Sequence, residues 1–260
     1  MFQAGKRFIF GLQGKNVTNF IIDFIENRDL LGIILFNRNF DSVDELKRLC
    51  SSLKRINPNL IIAIDQEGGD KSRIREHFNH PSNREMAKTL SPDDVEERYR
   101  FAAMNLLKIG IDMNLAPVID IGDEGSYIEE RTFSADSHIV SDYARAAVKG
   151  IKSAGLLSSA KHFVGLGASV FDPHFVLPTV ETDISQHLIP FENIADIADS
   201  IMTTHILCRD FSEMPITVSP EAIGFIRESI GFDGVILTDD LLMGGSKSFG
   251  SVSEVTLAAF

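Results

Sequence analysis

At 260 residues, 44% of them hydrophobic and 24% charged, the chain can bury one sizeable core. Its net charge of −12, from 25 Lys and Arg against 37 Asp and Glu, argues against a nucleic-acid groove, which needs a basic stripe to release counterions. The absence of Trp and the presence of only three Tyr disfavour an extended aromatic face for glycans, but leave open a pocket that holds one sugar by hydrogen bonds.

In chain order, short β-branched apolar runs alternate with longer amphipathic segments, as parallel βαβ units do. Strands are expected over residues 7–12, 32–37, 60–67, 113–120, 156–163, 200–206 and 234–241. Between the second and third strands, Asp41 is the expected cap of a helix carrying Leu46, Leu49, Cys50 and Leu53 on one face. Ser91-Pro92 opens the next long helix, and Gly110 closes it. Ser219-Pro220 and Gly231 repeat that device before the seventh strand. Seven strands with six crossovers fit a doubly wound sheet or a TIM-type (β/α)8 barrel. Gly11-Leu-Gln-Gly14 is not a dinucleotide fingerprint, which removes the main support for a Rossmann reading. One domain over residues 1–260 is expected, with no repeat and no linker.

Ionisable residues recur at the ends of these strands. Asp65 and Glu67 follow the third, Asp120 the fourth, Lys161-His162 the fifth, His205 the sixth and Asp239-Asp240 the seventh. In a barrel those ends converge on one face, where active sites are built. Each residue alone could be a structural ion pair or a helix cap; together they favour a site. Asp172-Pro173-His174 adds a carboxylate two residues before an imidazole, placed to accept the ring N–H and fix its tautomer, although Asp-x-His on a solvated loop is also common by chance.

The motifs Ile64-Asp-Gln-Glu-Gly-Gly69, Asn114-Leu-Ala-Pro-Val-Ile-Asp120, Arg131-Thr-Phe133, Ala160-Lys-His-Phe163, Met202-Thr-Thr-His205 and Gly231-Phe-Asp-Gly-Val-Ile-Leu-Thr-Asp-Asp240 occur in that order through nearly the whole chain. The series resembles glycoside hydrolase family 3, and the Asp-x-His loop resembles its β-N-acetylglucosaminidase branch. The resemblance implies a TIM-type barrel and a retaining hydrolase that removes terminal β-linked N-acetylglucosamine, on bacterial cell-wall fragments. It implies that Asp239 is the nucleophile and His174 the acid/base, oriented by Asp172. Asp65, Arg73, Arg131, Lys161 and His162 would hold the sugar hydroxyls, with His205 in a further matching motif. Lys161, Arg73 and Arg131 would also help keep Asp239 ionised. No metal or organic cofactor is needed for this chemistry, and no zinc spacing such as His-Glu-x-x-His is present.

The chain departs from the family pattern in three places. Val164-Gly-Leu-Gly167 stands where the family has Pro-Gly-His-Gly, so the loop of His174 is expected to be less preorganised. Asp70-Lys71 stands where Arg-Val is usual, and a carboxylate there could alter the sugar subsite. The sequence ends at Phe260, inside the helix after the seventh strand, so the barrel is expected to be incomplete, with open edges through which copies could associate. Three alternatives remain: an inactive sugar-binding relative; a phosphorylase, because a neutral histidine repels phosphate less than a carboxylate base does; and a purely structural subunit whose open edge docks a partner. The apolar runs are too short to span a bilayer, no signal peptide is evident, and Cys50 and Cys208 fit buried thiols, so a cytoplasmic protein without membrane contact is expected.

Overall fold

The computed structural model of the chain describes residues 4–75, 80–122 and 124–260. Seven parallel strands form one sheet: β1 (Ile9–Gly11), β2 (Gly32–Leu35), β3 (Ile61–Ile64), β4 (Met113–Asn114), β5 (Leu157–Phe163), β6 (Ser200–Thr203) and β7 (Val235–Thr238). Each strand lies beside the next in sequence, from Ile9 opposite Gly32 to Thr203 opposite Thr238. That order winds in one direction, as a (β/α) barrel does, and lacks the reversal of a doubly wound sheet. The sheet is a curled, incomplete barrel. β1 and β7 are its edges, and Val235 on β7 is 55% exposed where inner-strand residues such as Ile33 and Ile62 are fully buried.

Helices cover the outer face in the expected alternation: α1 (Asn19–Asn27), α2 (Val43–Ile56), α3 (Asn83–Thr89), α4 (Pro92–Ile109), α5 (Ser137–Ser153), α6 (Ser185–Ile194), α7 (Pro220–Glu228), α8 (Gly244–Lys247) and α9 (Val252–Ala259). Strand residues Ile33, Leu35, Ile62, Ile64, Ala160 and Ile201 join helix residues such as Leu46, Leu53, Leu106 and Val148 in the main core. A second, smaller cluster of Ala63, Met113, Leu115 and Met202 fills the barrel interior. Burial on both faces explains why these strands read as nearly continuous apolar runs.

Local chemistry sets the boundaries. Ser91 caps α4 through the Asp94 N–H with Pro92 following, and Gly110 closes it in a left-handed conformation at φ 101°. Ser219 caps α7 as expected, but that helix ends at Glu228, so Gly231 turns the chain beyond it rather than capping it. α2 is capped by Ser42, whose hydroxyl accepts the Glu45 N–H; Asp41 instead pairs with Lys15. The fourth strand is much shorter than its apolar run. Pro117 has no N–H to donate, its bond to Ala116 is cis, and only the bridge from Val118 to Lys161 resumes pairing. Thr179–Val180 and Leu207–Cys208 form a small parallel ladder that the apolar pattern did not indicate. The strands end before residues 36–37, 65–67, 204–206 and 239–241, so these residues leave the ladder at the C-terminal mouth.

Candidate active site

The floor of the mouth starts in the loop after β3. Asn114 accepts the Gln66 N–H at 2.9 Å and donates its own amide to the Gln66 carbonyl at 3.0 Å, clamping that loop to β4. The buried Gln66 side chain accepts the N–H groups of Arg73 and Ile74 and donates to the Ile74 carbonyl, which folds residues 66–74 back on themselves. Gly68 sits at φ 105°, where a Cβ would lie 2.5 Å from the His80 ring, so only glycine fits this turn. The fold-back brings Arg73 Nη2 to 3.1 Å from Asp65.

From Asp65 an alternating chain of charges crosses the mouth. Lys161 on β5 lies 2.8 Å from Asp65 and 2.7 Å from Glu67. Arg131 grips Glu67 with two N–H groups at 2.9 and 3.0 Å, and its Nη2 lies 3.2 Å from His162 Nε2. A guanidinium can only donate, so Nε2 accepts and Nδ1 carries the hydrogen directed to Asp120 at 2.8 Å. Burial raises the carboxyl pKa values of Asp65 and Glu67, but the cations more than offset this: Lys161 and Arg73 hold Asp65 below the usual range, and Arg131 and Lys161 do the same for Glu67. Burial works against the ammonium of Lys161, which Asp65 and Glu67 nonetheless hold in its charged form, with a raised pKa. Three carboxylates, Asp65, Glu67 and Asp120, thus meet three fixed cations, Arg73, Lys161 and Arg131. The charges of these cations are thus paired within the floor itself. Among the described residues, Arg73 Nε and Asp120 Oδ1 at its two ends are buried without a hydrogen-bond partner.

The upper rim is built differently. The Asp172 carboxylate accepts His174 Nδ1–H at 2.7 Å and the His174 backbone N–H at 2.8 Å, while the His174 side chain is 56% exposed. The Tyr127 hydroxyl, from the loop after β4, lies 3.3 Å from the same Nδ1. Burial alone would raise the Asp172 pKa, but hydrogen bonds from His174 and Tyr127 hold it below the usual range. The dyad loop is latched at its far side, where the N–H groups of Gly244 and Gly245 donate to the carbonyls of His174 and Pro173 at 2.9 Å each. At its near side Leu166 is buried in the core, and Gly167 packs so closely that a Cβ would meet the Ile121 carbonyl oxygen at 1.7 Å. The loop that lacks the family's proline and histidine is therefore anchored by apolar burial and backbone contacts.

Asp239 follows β7, half-buried. Its N–H donates to the Thr203 carbonyl, and its Oδ1 accepts the Asp240 N–H at 2.8 Å. His205 is not part of this hydrogen-bonded network. It is 1% exposed, with Nδ1 on the Thr217 hydroxyl and Nε2 on the Asp240 carbonyl, both at 2.9 Å. Both ring nitrogens are thus engaged by protein groups, one of them on the segment that carries Asp239. Asp70 is outside the site, its side chain fully exposed near Arg75. The mouth therefore gathers Asp65, Arg73, Arg131, Lys161 and His162 into one network, with Asp172 and His174 as a separate pair on its rim. Glu67, Asp120, Gln66 and Asn114 lie inside motifs quoted above, but their supporting roles depend on contacts between strands. Tyr127 had no sequence signal. Among the described residues, no three His, Cys, Asp or Glu side chains converge as metal ligands, and no helix is long and apolar enough to cross a membrane.

Comparison with known proteins agrees with this architecture. The model of the glycosyl hydrolase family 3 N-terminal domain matches residues 12–260. A β-hexosaminidase of Xylella fastidiosa (strain 9a5c) is 32% identical over 259 residues, covering 94% of this chain and 77% of the relative. A β-hexosaminidase of Pseudomonas aeruginosa (strain LESB58) is 30% identical, covering 88% of this chain and 72% of that one. Among solved structures, a family 3 β-N-acetylglucosaminidase from Paenibacillus sp. str. FPU-7 superposes with a TM-score of 0.94 at 30% identity, covering 99% of this chain. The chain spans 52% of that longer protein. NagZ from Neisseria gonorrhoeae, solved in complex with N-trifluoroacetyl-D-glucosamine, gives 0.88 at 29% identity, covering 98% of this chain and 78% of its own. The chain belongs to glycosyl hydrolase family 3, within its N-terminal barrel domain and alongside its β-hexosaminidases.

Proposed function

We propose that the chain is the catalytic barrel of a retaining β-N-acetylglucosaminidase that releases terminal, non-reducing N-acetylglucosamine. The observation that carries this reading is the rim pair: a half-exposed imidazole whose Nδ1 is held on a carboxylate, leaving Nε2 for a substrate. In the first step Asp239 attacks the anomeric carbon while protonated His174 gives its Nε2 proton to the departing glycosidic oxygen. The products are a glycosyl-Asp239 ester and the free alcohol. In the second step His174 takes a proton from water as that water displaces Asp239, which restores the carboxylate. Asp172 keeps Nδ1–H engaged through both steps, so the ring exchanges protons through one nitrogen.

The floor serves the terminal subsite. The charges of Asp65, Arg73, Lys161 and Arg131 are paired, and the His162 ring is hydrogen-bonded, before a sugar arrives, so these groups can orient hydroxyl groups without reorganising. The substrates we propose are small glycans with terminal N-acetylglucosamine, among them bacterial cell-wall fragments processed in the cytoplasm. The relatives named β-hexosaminidase and the Neisseria NagZ complex with an N-acylated glucosamine support this choice. The test is release of chromophore from an aryl β-N-acetylglucosaminide, with product analysis in phosphate buffer. Free N-acetylglucosamine, lost on Asp239→Asn, is expected. Sugar 1-phosphate would instead assign a phosphorylase, and sugar binding without turnover would assign an inactive relative.

A further inference from the structure

Two different contacts hold the dyad loop. The Gly244 and Gly245 N–H groups fix its backbone, but they do not touch the Asp172 carboxylate or the His174 ring. The Tyr127 hydroxyl reaches the pair: it lies 3.3 Å from His174 Nδ1, close enough to the Asp172 carboxylate to help hold that group's pKa down. No other side chain among the described residues hydrogen-bonds this pair. Tyr127 is itself fixed. Its backbone N–H donates to the Ser169 carbonyl at 3.1 Å, just before the dyad, and its ring packs on the main core. A phenol on the loop after β4 therefore spans to side chains on the loop after β5.

We propose that Tyr127 is a positioning residue for the acid/base dyad, its hydroxyl holding Asp172 and His174 in the arrangement that presents Nε2 to the glycosidic oxygen. The inference rests on the reading of His174 as acid/base. The bonds balance with one hydroxyl hydrogen. The phenol donates to Asp172, and its oxygen lone pair faces the Nδ1–H, whose main acceptor remains Asp172. Rotation of the ring away from the substrate would break both contacts at once. The charged and titratable groups within electrostatic reach of this hydroxyl are Asp172, Arg131 and Asp239, with His174 in contact. Burial, with Asp172 next in effect, pushes the phenol pKa up to about 12, so it remains a donor throughout the working range. In a chain with Leu166 in place of the family's histidine, this gives the dyad a polar hold from another loop.

The test is Tyr127→Phe, which keeps the ring and removes only the hydroxyl. The quantity to read is kcat/KM, which reports the step that needs the acid, on an alkyl and on a 4-nitrophenyl β-N-acetylglucosaminide. Loss of one hydrogen bond predicts a drop of about fivefold on the alkyl glycoside. It predicts little change on the nitrophenyl glycoside, whose leaving group needs no proton. Equal losses on both substrates, or none on either, would overturn the proposal. The second measurement needs no turnover. In a 13C NMR titration the Asp172 carboxyl pKa should rise in Tyr127→Phe, because a donor to the carboxylate has been removed. An unchanged value would overturn the proposal. Wild type that turns over neither glycoside while Asp172 shifts as expected would sink the hydrolase reading and leave the contact standing.

Discussion

The floor and the rim of the mouth use the same residue types in opposite ways. On the floor, Lys161, Glu67, Asp120 and His162 are almost fully buried; Lys161 and Glu67 meet opposite charges at hydrogen-bond distance, and Asp120 accepts from the His162 ring. On the rim, the His174 side chain is 56% exposed, and among the described residues its ring hydrogen-bonds only Asp172 and Tyr127, both through Nδ1. Folding thus settles the floor in advance, whereas the rim leaves an imidazole side chain more than half exposed. A buried charge network is costly to break, and a half-exposed dyad is cheap to alter. Substitutions on the floor should therefore cost stability, and substitutions on the rim should cost chemistry.

The largest separation is expected from His174→Ala. Loss of a general acid should lower turnover of an unactivated glycoside by about 10²- to 10⁴-fold. The thermal midpoint should stay where it was, and a clear fall in it would blur the division between rim and floor. Glu67→Gln reverses the pattern. It leaves Arg131 and Lys161 short of an anion in a buried setting, so denaturant unfolding should show a loss of about 3 kcal/mol. A neutral result would mean that water already screens the floor.

Acid should act mainly on the floor as well. The Asp65 and Glu67 pKa values are depressed in the folded state, so the stability they add is present above the ordinary carboxylate range. It is lost as pH falls below about 4 toward the folded values. A thermal-midpoint series through that window should slope down with acid, and the slope should be shallower in Glu67→Gln. Asp70→Asn should do least. Its side chain is fully exposed and away from the network, so KM for N-acetylglucosaminides should not change.

Much of this arrangement is legible in the sequence because barrels repeat. Five of the seven apolar runs carry ionisable residues at their ends, and that pattern, with the family's motif order, points to Asp65, Asp120, Lys161 and Asp239 at the mouth. Contacts between strands were not legible. Glu67 is visible in the sequence as a carboxylate at a strand end, but its grip on Arg131 depends on how the loops after β3 and β4 meet. His205 was placed at the mouth by its position after a strand, yet residues 204–206 leave the ladder and its ring turns to Thr217 and the Asp240 carbonyl. Tyr127 belongs to no motif. The short fourth strand was hidden for a simpler reason: hydrophobic periodicity does not register the missing N–H of Pro117.

The central claim is that Asp239 forms the bond to the sugar, and covalent trapping tests it most directly. The protein would be treated with a fluorinated N-acetylglucosaminyl donor whose intermediate hydrolyses slowly, then digested for peptide mass spectrometry. The account predicts one added sugar, on Asp239, and none in Asp239→Asn. A sugar on another residue, or turnover of the ordinary glycoside with Asp239 never modified, would contradict it.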